Sequence, residues 1–264
     1  MQWKPNLHTP RRCVLLYRIF RFRRGFGVHS PFVYNLITKV IEEKRPYYCY
    51  DDIELVRRQF YYRETRFPWI DRRHGKKEVP DMPVGHILRR EAIRKKQGEL
   101  LFRLANYFKP RHILQFGCSA GISTLYLTAY SPEVACTVLE CMPSLAVVAR
   151  QVWQKAARGP VDLRVGEYPA LLPGALKKID RLDFVFFNRL EEAADRETLF
   201  EACLEKAHNE TVIVLSGIKA NRAMRAFWRS VCGRQDVTVT LDLYTLGIVI
   251  LNRKLHKRNY TVYF

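Results

Sequence analysis

The stretch Arg111-His-Ile-Leu-Gln-Phe-Gly-Cys-Ser-Ala-Gly-Ile-Ser-Thr124 decides how this chain is read. An apolar run (Ile113, Leu114, Phe116) stops at Gly117, and a helical pattern starts after Gly121 through Leu125 and Leu127. A strand, a tight turn of small residues and a helix N-terminus make a junction where a ligand can approach the backbone. The unpaired N–H groups at the helix start favour a carboxylate or hydroxyl oxygen.

Downstream of this junction, strands alternate with helices. Apolar runs predict strands at 112–116, 134–140, 161–165, 182–187 and 211–215, with helices at about 121–130, 143–157, 168–178, 192–207 and 219–232. Continuous apolar strands joined by crossover helices indicate a mostly parallel sheet covered on both faces. Segments 237–243 and 246–252 follow each other across a short turn, which predicts a terminal antiparallel hairpin. Upstream, residues 13–23 mix apolar and basic positions at helical spacing, and Ser30-Pro31 marks the start of a helix running to about Glu43. A short helix is predicted at 51–62, a long Pro- and Gly-bearing loop at 63–86, and a helix from about 87 to 108. The chain thus divides into a helical N-terminal extension, 1–110, and an α/β unit, 111–264.

Composition narrows the class. With 264 residues, 48% of them hydrophobic, the chain can bury a full core. No stretch reaches the ~18 uninterrupted apolar residues of a membrane span. Arginines at 11, 12, 18, 21, 23 and 24 interrupt every early apolar run, so no signal peptide is expected. The seven cysteines show no Cys-x-x-Cys pair, which points to free thiols in a reducing cytoplasm and away from zinc. Residues 1–112 carry 26 Lys and Arg against 11 Asp and Glu, whereas 113–264 carry 19 against 15. That asymmetry admits an anionic partner, RNA or a membrane surface, or simply a basic surface without one.

The strand–helix units and terminal hairpin resemble the class I S-adenosylmethionine-dependent methyltransferases. Phe116-Gly-Cys-Ser-Ala-Gly-Ile-Ser-Thr124 resembles the first motif of the catechol O-methyltransferase-like group. Gly25-Phe-Gly-Val-His-Ser-Pro-Phe-Val33 and Leu241-Asp-Leu-Tyr-Thr-Leu-Gly-Ile-Val-Ile250 resemble an uncharacterised bacterial subgroup. The resemblance implies a Rossmann-like seven-stranded sheet and S-adenosyl-L-methionine as cofactor. Gly117, Cys118, Ser119 and Gly121 would then meet its methionine part, with Gln115 just before them. Ser123 and Thr124 would meet its carboxylate, and Glu140 with Cys141 its ribose. Gly166, Glu167 and Tyr168 would lie near its adenine, and Asn188 would face the methyl group. Simpler readings stay open for several of these. Gly117 and Gly121 can be packing and turn residues, Glu140 a charge favoured at a helix start, and Asn188 a turn residue.

Two departures matter. Where the family commonly ends its first strand with an acid, this chain has Gln115, which keeps hydrogen bonding but loses charge. Where metal-dependent members carry Asp and an Asp pair, it has Asn188 and Ser216-Gly217, so no catalytic metal is expected. Asn188, Glu191 and Lys219 are the candidates for a catalytic role. The implied function is metal-independent methyl transfer, favouring oxygen of an unknown small acceptor. The alternatives are a catalytically impaired relative that binds a ligand or partner, and an RNA- or membrane-associated protein acting through its basic region. Aromatic residues in 46–69 either line a substrate pocket or pack a helical cap onto the sheet.

Overall fold

The computed structural model describes residues 10–22, 24–71, 77–188, 190 and 195–264, with the backbone alone at 11, 15, 70, 71 and 77–79. The N-terminal part holds α1 (Arg11–Arg21), α2 (Pro31–Leu36) continuing into a π-helical turn (Ile37–Ile41), and α3 (Tyr48–Tyr61). Ser30 caps α2 by accepting the Val33 N–H at 3.4 Å, and Pro31 takes the first helical position, where no N–H is needed.

The segment expected as a long loop is not one. It forms an antiparallel hairpin, β1 (Arg66–Asp71) with β2 (Lys77–Pro83), and then enters α4 (Val84–Glu91). Prolines 68, 80 and 83 hid it from view, because proline offers no ladder N–H. The pairing shifts register between Phe67 and Trp69, which accommodates Pro68. The single helix expected at 87–108 is also two: Ala92 turns extended after α4, and α5 spans Lys95–Phe108.

The α/β part follows as β3 (His112–Phe116), a 3-10 turn (Ser119–Gly121), α6 (Ile122–Thr128), β4 (Ala135–Glu140), α7 (Pro143–Lys155), β5 (Asp162–Val165) and α8 (Tyr168–Lys177). Then come β6 (Leu182–Phe187), α9 (Arg196–Glu205), β7 (Ala207–Ser216), α10 (Arg222–Gly233), β8 (Val239–Asp242), β9 (Leu246–Ile250) and β10 (Arg258–Thr261). The strand order is β10-β8-β9-β7-β6-β3-β4-β5. The seven expected strands are all present. The hairpin's second strand, β9, slots antiparallel between β7 and β8, and the unexpected β10 adds a parallel edge.

Strand residues alternate between two cores. Ile113, Val138, Phe184, Phe186 and Val214 face the N-terminal helices with α6 and α7, while Leu114, Phe116, Leu139, Phe187 and Leu215 face α8, α9 and α10. Burying each such side chain contributes roughly 1.5–3 kcal/mol, which is why the strands read as unbroken apolar runs. Of the aromatic residues in 46–69, Tyr50, Phe60 and Trp69 are core, and Tyr47 and Tyr50 pack on Phe102 of α5. They pack a helical cap, and Tyr47 also lines a cavity with Arg103 and Tyr107. Tyr126 of α6 donates to Glu54 of α3 at 2.8 Å, and Glu54 also pairs with Arg57.

The end of the π turn needs partners for its last carbonyls, since helix termini leave such groups unsatisfied. Buried Arg103 supplies them, donating Nε to Val40 O at 2.7 Å and Nη2 to Ile41 O at 3.3 Å. Arg103→Met keeps the stem but strands both carbonyls, so urea unfolding should show a loss of about 3 kcal/mol. A loss below about 0.5 kcal/mol would show that water serves those carbonyls instead.

Candidate functional site

Four chain segments that the sequence reading singled out meet along the C-terminal edge of the sheet. Gly117 N donates to Leu139 O at 2.8 Å, Gly166 N to Glu140 O at 2.9 Å, and Asn188 N to Phe116 O at 2.9 Å. These bonds extend the ladders past the strand ends and set the four loops side by side. The strand order reverses at β3, with β4 on one side and β6 on the other. Open parallel sheets bind ligands in the crevice at such a reversal.

The turn after β3 holds Gly117, Ser119, Ala120 and Gly121 at positive φ. Gly117 (φ 77°) is left-handed, and a Cβ there would come within 2.8 Å of Asn188 O and 3.4 Å of the Tyr168 hydroxyl. Ser119 and Ala120 both sit at φ 53°, a conformation that costs non-glycine residues about 1–2 kcal/mol each. Tertiary bonds hold them there. Ser119 Oγ accepts the Ile93 N–H at 2.6 Å and donates to Glu91 O at 3.0 Å, tying the turn to the break between α4 and α5.

Several expected contacts are spent inside the protein. Gln115 Nε2 donates to Gly117 O at 2.7 Å and to Ser123 Oγ at 2.9 Å, while its Oε1 accepts from Thr124 Oγ1 at 3.0 Å. Gln115, Ser123 and Thr124 are fully buried. The two hydroxyls were expected on the cofactor carboxylate; in the structure they face Gln115, and Ser119 faces the α4–α5 link. The amide explains the missing acid, because a carboxylate has no N–H to give Gly117 O. Cys118 is buried beneath the turn, and burial pushes its thiol well up.

Glu140 is 2% exposed, and its carboxylate accepts the N–H of Cys118 on Oε2 and of Met142 on Oε1, each at 2.8 Å. Tyr168, 7% exposed, lies against Phe116 with ring centroids 5.5 Å apart, and burial raises its phenol well above the usual range. Together with Asn188 it covers Gly117. Among the expected residues of this crevice, Cys141, Glu167 and Gly166 retain exposure.

Asn188 is 6% exposed and its Nδ2 has no hydrogen-bond partner among the described residues. A buried unpaired N–H costs about 1–3 kcal/mol, and this one lies toward Gly117, 3.5 Å from where a Cβ there would stand. On its other side Asn188 lines a cavity of about 520 Å³ with Arg90, Arg94, Gln97, Ser216, Lys219 and Tyr244. Lys219 Nζ pairs with Asp242 at 2.8 Å, and Asp242 also holds Arg18 of α1 at 2.8 Å. Burial lowers the Lys219 ammonium pKa against the pull of Asp242. Burial would raise Asp242, but Arg18 and Lys219 outweigh it and hold its carboxyl below the ordinary range. Glu191, the third catalytic candidate, lies outside the described residues. Arg90, Arg94, Gln97 and Tyr244 were given no role in the sequence reading. The break after α4, concealed by good helix-forming residues, aims the first three at the cavity. Tyr244 lay within a motif noted for resemblance alone.

Gln115→Glu tests the brace. The new carboxyl can donate to Gly117 O only when protonated, so burial and this bond raise its pKa above the unfolded ~4.3. The unfolded chain then releases the proton first as pH rises, and the variant's stability relative to wild type falls above that value. Denaturant melts should show a deficit of about 2 kcal/mol at pH 7, shrinking toward pH 4. A deficit independent of pH would show that the carboxylate is accommodated charged.

No protein-family model matches the chain, and no curated protein matches it significantly by sequence. Solved structures do match in fold. Cofactor-bound Rv0187 from MTB is 23% identical with a TM-score of 0.54, covering 62% of this chain and 83% of that one. The O-methyltransferase TomG from Streptomyces achromogenes, solved with SAM, is 19% identical with a TM-score of 0.55, covering 78% and 91%. An O-methyltransferase from Bacillus cereus, solved with SAH, is 17% identical with a TM-score of 0.55, covering 82% and 96%. The sheet order and these likenesses agree: the chain has the fold of the S-adenosylmethionine-dependent O-methyltransferases.

Proposed function

We propose that the protein is an S-adenosylmethionine-dependent methyltransferase that acts without a catalytic metal, favouring an oxygen of a small acceptor. The observation that carries this reading is the row of Gly117, Glu140, Gly166 and Asn188 at the strand reversal, with a 520 Å³ cavity on the far side of Asn188. The donor set suits the cofactor. Glu140 ends β4, where its carboxylate would meet the ribose hydroxyls. Cys141, Gly166 and Glu167 would border the nucleoside, and the Gly117–Gly121 backbone the amino-acid end. When bound, the cofactor supplies an electrophilic methyl group on a cationic sulfur.

The work left to the chain is to align an acceptor in the cavity and keep water out, and in-line positioning alone lowers such a barrier greatly. Lys219, paired as an ammonium with Asp242, would hold an acceptor oxygen that arrives already ionised, so that no proton has to be removed. Asn188, Ser216 and Gly217 offer no carboxylate for a hard divalent cation, and no convergent group of His, Cys, Asp and Glu occurs among the described residues.

A second reading, a non-catalytic relative, is favoured by one observation: Tyr168 and Asn188 close over Gly117. Calorimetry with S-adenosylhomocysteine separates the two. Binding is expected for the wild type. Tyr168→Ala, which removes the cover, should bind about tenfold more tightly, because a closed conformer reduces apparent affinity by its population. Glu140→Gln should weaken binding about tenfold. No binding by wild type or Tyr168→Ala at millimolar ligand would overturn the enzyme reading. Methyl transfer, once an acceptor is found, should be insensitive to EDTA.

For location, the seven scattered cysteines form no disulfide, which suits a reducing compartment, and we place the protein in the cytoplasm. No described helix is long and apolar enough to cross a membrane. An anionic partner for residues 1–112, RNA or a membrane surface, would use the exposed Arg12, Arg21 and Arg24. Arg18 is excluded from that role by its buried pair with Asp242, so a truncation through residue 24 would damage the fold. Arg12, Arg21 and Arg24 changed together to Gln should abolish salt-dependent retention on anionic liposomes or RNA.

A further inference from the structure

Resting on the methyltransferase reading, we propose that the acceptor is a small oxyanion, a carboxylate or phosphate ester, bound in the 520 Å³ cavity by Arg94 and Lys219. The charges around this cavity do not cancel among the described residues. Arg90 lies 3.3 Å from Glu91 and neutralises it. Asp242 is a single carboxylate shared by two cations, Arg18 and Lys219, each at 2.8 Å. One positive charge of that triad is therefore uncompensated. Arg94 is exposed at the rim and makes no side-chain hydrogen bond or ion pair among the described residues, so it adds a second.

A concave wall whose described residues carry two more positive than negative charges focuses its field into the cleft and concentrates anions there. The volume lies within the range of small-molecule sites.

The cation triad is also positioned as a unit. Tyr244 stands in the turn between β8 and β9 at φ 73°, a conformation rare for a bulky residue. Its N–H donates to Asp242 Oδ1 at 2.7 Å. The Lys219 ammonium is 4.9 Å and the Arg18 guanidinium 5.3 Å from its ring centroid. Tyr244, strained in this way, keeps Lys219 at the cavity wall with one face of its charge available to a ligand.

Calorimetric titration of the full-length protein with benzoate, phenyl phosphate and neutral benzamide, with and without saturating S-adenosylhomocysteine, tests this. At least one anion should bind about tenfold more tightly than benzamide and weaken as salt is added, and the stronger anion tells carboxylate from phosphate. Arg94→Gln and Lys219→Met should each cost about tenfold in anion affinity and leave benzamide unchanged. Lys219→Met leaves Asp242 paired with Arg18, so its thermal melt should stay close to wild type. Equal affinity for benzoate, phenyl phosphate and benzamide, or anion binding untouched by Arg94→Gln and Lys219→Met, would overturn the proposal. The S-adenosylhomocysteine titration keeps the two readings apart. S-adenosylhomocysteine binding without anion preference removes the acceptor class alone, and anion binding without S-adenosylhomocysteine binding removes the methyltransferase reading.

Discussion

The Glu140 carboxylate joins the two loops on which the candidate site stands. It takes the N–H of Cys118 after β3 and of Met142 after β4, and it does so while almost wholly buried. A buried carboxylate is tolerated only when its lone pairs find donors, and the two N–H groups are such donors. The charge is therefore a structural requirement before it is a binding group. Glu140 also anchors a turn with two non-glycine residues in left-handed conformations, which would relax without such bonds.

Around this anchor the buried polar groups form separate closed sets. Gln115, Ser123, Thr124 and the Gly117 carbonyl satisfy one another under the turn. Ser119 reaches outward to Glu91 and Ile93, so the extended link between α4 and α5 is positioned by the same turn. That link aims Arg90 and Arg94 at the cavity. On the other side, Asp242 gathers Arg18 from α1 and Lys219 from the loop after β7. The N-terminal helices thus complete the site as well as covering one sheet face.

Much of the fold was legible because parallel strands buried on both faces must be apolar throughout. The runs at 112–116 and 182–187 match β3 and β6 at both ends. The β1–β2 hairpin was not legible, because three prolines signal a loop and only a register shift reconciles Pro68 with a ladder. The strand β10 was missed because Arg258-Asn-Tyr-Thr261 is half exposed at a sheet edge and lacks an apolar run. For the site, Gly117, Glu140, Gly166 and Asn188 could be read as strand-end residues. The partners of Ser123, Thr124 and Ser119 could not, since a hydroxyl near a glycine turn does not say whether it faces a ligand or the interior.

The sequence by itself determined the order of strands and helices, the glycine turn and the acid at the end of β4. These follow from local periodicity and from backbone conformations that few residues adopt. Tertiary structure alone decided what those residues do. It turned Gln115 into a brace, set Tyr168 over Gly117, and placed two cations against Asp242 from segments more than 200 residues apart. Side-chain direction and charge balance depend on neighbours brought from elsewhere in the chain, and no local pattern encodes them.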